Sequence, residues 1–331
     1  MTARHSISSP LAITLVLAVL TTCAQVSAGG PQKPHNSGQA KINIDIQSSV
    51  GTRIAHTSRA EADSATLVFD HEYQPGDRIL IAGPRRMAVQ LDEGQPECQL
   101  YLPDSAQDRF LFEIPFGRKE PDTGSAYAPT AFAGTTHRVT VRALRARDMR
   151  GYRNLALNPC DRQWPAQAPS EALASAADQV PAPLEALPQR LAYPHASSNS
   201  VHRNWPDFRE RNAIDGIAQN GHHGIWPYQS WGPERHADLW WKVDFGRIVA
   251  IDKVRLMIRA DFPHDSYWNS ATLEFSDGSR LPIRIQQSAE FQQFSFPRRG
   301  VSWIRLTGLT PVDPAHYCSL LEFEAWGREL P

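Results

Sequence analysis

An all-β chain built from two β-sandwich domains in tandem is what the sequence predicts, on three observations. Apolar and polar residues alternate in many short runs, each bounded by Gly, Pro or Asp, which is the pattern of sandwich strands. An Ala/Pro/Gln-rich stretch from Asp161 to about residue 190 separates two sets of such runs. The length, 331 residues, suits about two domains, and 41% hydrophobic content is enough to pack a core in each.

Before the first run lies an export signal. Arg4 and His5 precede an apolar stretch over residues 11–20 that is too short to span a bilayer as a mature helix. The small-residue site Val26-Ser27-Ala28 follows it, so residues 1–28 read as a signal peptide and 29–40 as a disordered mature N-terminus. Leu20-Thr21-Thr22-Cys23 also resembles a lipoprotein processing box, although the residue before the cysteine is normally Gly, Ala or Ser. A secreted or periplasmic protein is therefore expected ahead of one lipid-anchored through Cys23. No later apolar run is long enough for a transmembrane span. A net charge of −1 with scattered Lys and Arg gives no footprint for nucleic acid.

The first domain, residues 41–160, has alternating runs at 42–46, 65–69, 78–81, 87–91, 109–114 and 137–142. It also holds Cys98 and Cys160, which an oxidising compartment allows to pair, closing a loop worth about 4 kcal/mol in the chain-entropy treatment. Cys318 is then unpaired and expected to be buried as a small apolar residue. Residues 161–192 form a connector in which Pro165, Pro169, Pro181 and Pro183 prevent long helices; residues 171–178 have room for a turn or two of helix. In the second domain, 193–331, Val254, Leu256 and Ile258 share one face of a strand and put Arg259 on the other. Residues 271–275 enter a hairpin turn at Ser276-Asp277-Gly278-Ser279, and runs at 303–306 and 321–326 complete the count.

Within this second domain the order of motifs is informative. Arg211-Asn212-Ala213-Ile214-Asp215-Gly216 comes first, then Trp231-Gly232, then a strand from Trp240 that ends on Asp244-Phe245-Gly246, and finally Leu321-Glu322-Phe323-Glu324-Ala325-Trp326-Gly327. Over residues 193–329 this order resembles the discoidin, or coagulation-factor C-type, domain, the galactose-binding-like β-sandwich of many bacterial carbohydrate-binding modules. The resemblance implies a jelly roll that holds glycans and performs no chemistry. It also implies a structural Ca2+, with Asp215 and Glu322 as side-chain ligands and Asn212 contributing through its carbonyl, since oxygen donors suit a hard cation. The alternative is that Asp215-Gly216 is an ordinary turn and Glu322 is solvated.

Sugars are held by an aromatic face and by charged or amide groups on the hydroxyls. Two segments have this chemistry, residues 222–231 and 259–268, and from them Trp226, Tyr228, Arg259, Asp261, His264, Asp265 and Trp268 are the expected ligand-binding residues. Competing readings are core packing for Trp231, Trp241 and Trp326, a loop-fixing Arg259–Asp261 ion pair, and a metal-binding His222-His223 pair.

No G-x-S-x-G elbow and no H-E-x-x-H motif is present. A lectin-like glycan-binding protein without catalytic residues is therefore the expected function. A glycan-active enzyme that uses the C-terminal module for targeting, with its carboxylates in a cleft between the domains, is the alternative. A protein-binding adhesion module is a third reading.

Overall fold

The computed structural model describes residues 41–60, 62–103, 109–115, 126–161 and 192–330. The expected signal peptide, Cys23 box, disordered N-terminus and the helical turn at 171–178 lie outside the described residues. Among those described, no helix is long and apolar enough to cross a membrane.

Residues 41–143 form two four-stranded antiparallel sheets. The strands are β1 (Ile42–Gln47), β2 (Arg53–Arg59), β3 (Ser64–Asp70), β4 (Arg78–Ala82), β5 (Arg86–Gln90), β6 (Cys98–Tyr101), β7 (Arg109–Glu113) and β8 (Thr136–Ala143). One sheet has the order β2-β1-β4-β7 and the other β3-β8-β5-β6. The alternation that identifies β1 also makes the core: Ile42, Ile44 and Ile46 are fully buried while Asn43, Asp45 and Gln47 are not. Ile79 and Ile81 of β4 and Val139 and Val141 of β8 meet them in one cluster. Each such side chain gains roughly 1.5–3 kcal/mol from leaving water. Strand β2, Arg-Ile-Ala-His-Thr-Ser-Arg, has no buried residue. It lies at the edge of its sheet, and its weak alternation hides it in the sequence.

The expected disulfide is present: Cys98, at the start of β6, is bonded to Cys160 with the Cα atoms 6.1 Å apart. Cys318 is a buried free thiol, and burial pushes its pKa up to about 12.

The remaining strands are β9 (Arg153–Asn154), β10 (His195–Ser198), β11 (Trp241–Ile258), β12 (Trp268–Phe275), β13 (Arg280–Arg284), β14 (Gln292–Pro311) and β15 (Leu320–Glu329). They form one antiparallel array, β13-β12-β14-β11-β15-β9, with β10 added on β11. Strands β11 and β14, 18 and 20 residues long, slip register between Asp244 and Val249 and again between Ile251 and Lys253. Bulges bend a strand, so the array folds over and encloses a second core that contains Trp231, Trp241, Phe245, Leu256, Phe275 and Phe323. The all-β, double-sandwich expectation therefore stands. The strand expected to end on Asp244-Phe245-Gly246 instead runs on to Ile258. Gly246 is its corner: φ is +66°, and a Cβ there would lie 2.5 Å from the ring of Tyr193, so only glycine turns it. The turn at 276–279 is the expected hairpin, with Gly278 at φ +84° and its N–H on the Phe275 carbonyl.

Strand β9 precedes the connector in sequence yet pairs with β15, and Leu155 and Ala156 belong to the second core. Asp161 accepts hydrogen bonds from His195 Nδ1 (2.8 Å) and the Ala196 N–H (2.7 Å), so the residues on either side of 162–191 meet. Glu329 at the end of β15 is held by Arg153 (2.8 Å), by Arg247 (2.8 Å) and by Arg86 of the first sandwich (3.3 Å). Burial opposes its charge, and these guanidiniums nevertheless hold its pKa below the ordinary value.

Candidate ligand-binding site

Two short 3-10 turns, Pro206–Phe208 and Glu210–Ala213, deliver Arg211, Asn212 and Asp215 into the interior, none more than 4% exposed. Asn212 Nδ2 donates to the carbonyls of Pro206 (2.9 Å) and Ser230 (3.3 Å), and its Oδ1 accepts from Arg211 Nη1 (2.9 Å). The side chain thus ties the loop together and leaves the carbonyl as its expected donor. Asp215 accepts from the Ile217 N–H (2.9 Å) and from Gln229 Nε2 (3.0 Å), with Arg211 at 3.8 Å. Glu322, on β15, accepts from the Gly216 N–H at 3.3 Å through Oε2, and its Oε1 is buried with no hydrogen-bond partner.

Burial, and next the nearby Asp215, pushes the Glu322 carboxyl well above its usual range. Burial also pushes Asp215 up to about 6, against the pull of Arg211. Glu322 is 1% exposed, so it is not the solvated residue of the alternative reading. Two buried carboxyls with one orphaned oxygen form a donor set that fits a hard cation.

Beside this trio a cleft of about 290 Å³ opens between the two sandwiches. Gln95, Pro96, Tyr127 and Ala128 line it from the first; Arg211, Asp215, Trp226 and Gln229 line it from the second. Arg211 spans the junction, donating to the carbonyls of Pro159 (3.0 Å) and Ala126 (3.4 Å) while its guanidinium lies 4.4 Å from the centre of the Tyr127 ring. Three buried side-chain atoms of these lining residues have no hydrogen-bond partner: Tyr127 Oη, Gln229 Oε1 and Arg211 Nε. Each such orphan costs about 1–3 kcal/mol in a closed protein. Burial, with smaller effects of Arg211 downward and of Asp161 and Asp215 upward, pushes Tyr127 up to about 12, which keeps its hydroxyl a donor at neutral pH. Trp226, half-buried, supplies an aromatic surface.

The other expected ligand-binding residues divide into two groups. Arg259, Asp265 and Trp268 are buried, at 4%, 3% and 3% exposure. Arg259 Nε and Nη2 grip the two oxygens of Asp265 at 2.5 and 2.9 Å. The pair is 4% and 0% exposed at its side chains, and the ion-pair partner of Arg259 is Asp265 rather than Asp261. Trp268 is 3% exposed and stacks on Trp231, centroids 5.7 Å apart. Tyr228, Asp261 and His264 gather at a separate surface. There Tyr228 lies 5.1 Å from the His222 ring, and His223 and His264 stack at 4.4 Å. Asp261 accepts from His223, and that bond, ahead of the charges of nearby histidines, holds its pKa low.

Tyr127, Gln95, Arg211 and Gln229 are the site residues that sequence reasoning missed. Arg211 and Gln229 stand inside quoted motifs, beside Asn212 and Tyr228, and a charge or amide flanking the Asp-Gly loop is the signal that was there. Tyr127 and Gln95 carry none, because only the docking of the two sandwiches brings them to Asp215. A larger groove of about 430 Å³ runs past Pro233, Arg235, Leu309 and Pro311, with Trp268 and Cys318 beneath it. Two of its charged groups have partners: Arg235 donates to the Ala315 carbonyl, and Glu234 accepts from the Arg203 N–H.

No protein-family model and no curated protein matches the chain. Several solved structures that are similar to it are binding modules. A selenomethionine-labelled mutant of chitosan-binding module 1, from a chitosanase/glucanase of Paenibacillus sp. IK-5, is 19% identical, covering 54% of this chain and 100% of that one, at a TM-score of 0.34. A module designated CBM32-5 from Clostridium perfringens, in complex with GalNAc-β-1,3-galactose, is 15% identical over 40% of this chain and 94% of its own, at 0.33. A fucose binding module of Streptococcus pneumoniae is 16% identical over 41% and 96%, at 0.34.

Proposed function

We propose that the protein is a carbohydrate-binding, lectin-like protein, exported to the periplasm or beyond, in which the cleft between the sandwiches receives a sugar. The observation that carries this is the lining of the cleft, where the polar side chains of Gln95, Arg211, Asp215 and Gln229 stand beside the rings of Tyr127 and Trp226. The hydroxyls of a sugar both donate and accept, and amide, guanidinium and carboxylate groups suit them. The volume, about 290 Å³, lies just below the roughly 300–1,000 Å³ range of ligand clefts and suits one or two rings. Trp226 offers its face to the C–H side of a ring. On this reading the first sandwich supplies one wall of the site.

The test is a glycan screen of the full chain with Trp226→Ala and Tyr127→Phe beside it. Wild-type protein is expected to retain a defined glycan, Trp226→Ala to lose at least tenfold in affinity, about 1.4 kcal/mol, and Tyr127→Phe to weaken binding to a lesser degree. Binding unchanged in both variants would remove the cleft from the site.

We further propose that Asp215, Glu322 and the Asn212 carbonyl hold Ca2+, which would offset the cost of burying these two carboxylates and brace the segments that carry Arg211 and Gln229. Ca2+ at a hundred times its Kd is then expected to raise stability by about 2.7 kcal/mol, read as a higher Tm than in chelator, and Glu322→Gln is expected to erase the difference. Equal Tm values with and without Ca2+ would overturn this assignment.

A further inference from the structure

The histidine surface left aside by the cleft has its own chemistry. His223 comes from the loop before β11 and His264 from the loop after it. Their rings are parallel within 5° at 4.4 Å. Asp261 Oδ2 bonds to His223 Nδ1 and lies 3.8 Å from His264 Nδ1. The donor atoms of His223, Asp261, His264 and Asp265 all fall within 4.8 Å of one another. Core packing does not explain the arrangement, because the His264 side chain is 60% exposed and that of His223 33%.

The cluster is held in place from behind. Asn220 joins the two loops: its Oδ1 accepts from the Ala260 N–H (2.8 Å), and its Nδ2 donates to the Ile258 carbonyl (3.0 Å). Arg259 fixes Asp265, whose Oδ1 lies 3.2 Å from His264 Nδ1. Asp265 is thus a neutralised inner rim, which leaves an imidazole nitrogen from each of His223 and His264 and one carboxylate oxygen of Asp261 as the donor set. An N₂O set suits a divalent transition metal and suits poorly Ca2+ or Mg2+, which take oxygen ligands.

We propose that His223, His264 and Asp261 form a site for a divalent transition-metal ion of the zinc class, with at least one coordination position open to water or to a ligand hydroxyl. Three protein ligands plus an open position is the pattern of accessible zinc sites, whereas structural sites are closed by a fourth. None of the three residues lines the cleft, so the proposal stands independently of the sugar reading.

The full chain, purified without a histidine tag and freed of metal by chelator, is titrated with Co2+ by visible absorption and with Zn2+ by calorimetry. One ion per chain is expected. His223→Ala and His264→Ala are each expected to weaken binding at least tenfold, and Asp261→Asn to weaken it measurably, with thermal unfolding unchanged in metal-free buffer as the control for folding. Absence of saturable binding by the wild-type chain overturns the proposal. So does binding by both histidine variants that equals wild type, because the ion would then sit elsewhere.

Discussion

Trp268→Ala is expected to lower the free energy of unfolding by about 3–5 kcal/mol. The indole is 3% exposed and packs in the second core against Trp231, with the rings 25° from parallel. Truncation removes a large apolar surface from that core and leaves a cavity whose rigid sandwich walls cannot close. It also loses an aromatic pair worth about 0.5–1.5 kcal/mol beyond burial. Urea unfolding measures the loss, and glycan retention by the folded variant at low temperature separates stability from recognition. Retention equal to wild type is expected. A destabilisation under about 1 kcal/mol would mean that the indole is not the packing residue its burial indicates.

Asp265→Ala is expected to be of similar size, about 3–5 kcal/mol. The carboxylate is completely buried and takes both forks of Arg259, so its removal strands a guanidinium with only Ser230 Oγ at 3.4 Å and the Phe208 ring at 5.7 Å. A charge without its counter-ion in such surroundings is far more costly than the pair is stabilising. The check is a double variant, Arg259→Met with Asp265→Leu, measured by the same unfolding experiment. It should recover most of the loss, because the stranded charge goes with it. If the double variant is as unstable as Asp265→Ala, the cost lies in loop geometry and not in the ion.

These two residues also mark where sequence reading stops. Alternation correctly puts Arg259 on the face opposite Ile258, but alternation says nothing of what covers a face, and here the 261–265 loop folds back and closes over it. Trp268 is hidden for a different reason. Positions 271, 273 and 275 point inward, which by a period of two would send 269 inward and 268 outward. Register shifts flank Ser270 in the pairing of β12 with β14, and they return Trp268 to the core. A bulge cannot be read from alternation because it is the place where alternation fails. By contrast, much of the first sandwich was legible strand by strand, since β1, β3 and β4 keep strict alternation against one core. The Asp215 and Glu322 pair was legible as well, through motif order. The cleft was not, because Tyr127 and Asp215 belong to different sandwiches.

The meeting of Asp161 with His195 and Ala196 changes what the connector means. The described residues on either side of 162–191 are bonded to each other directly, so an interruption in that segment is expected to divide the polypeptide while leaving one particle. The upstream piece would keep its disulfide within itself and would still lend β9 to the sheet of the downstream piece; the downstream piece would still press Arg211 against Tyr127. The two halves of the gene are in this sense complementary fragments that happen to be translated together, and the split lies beside the cleft that needs both.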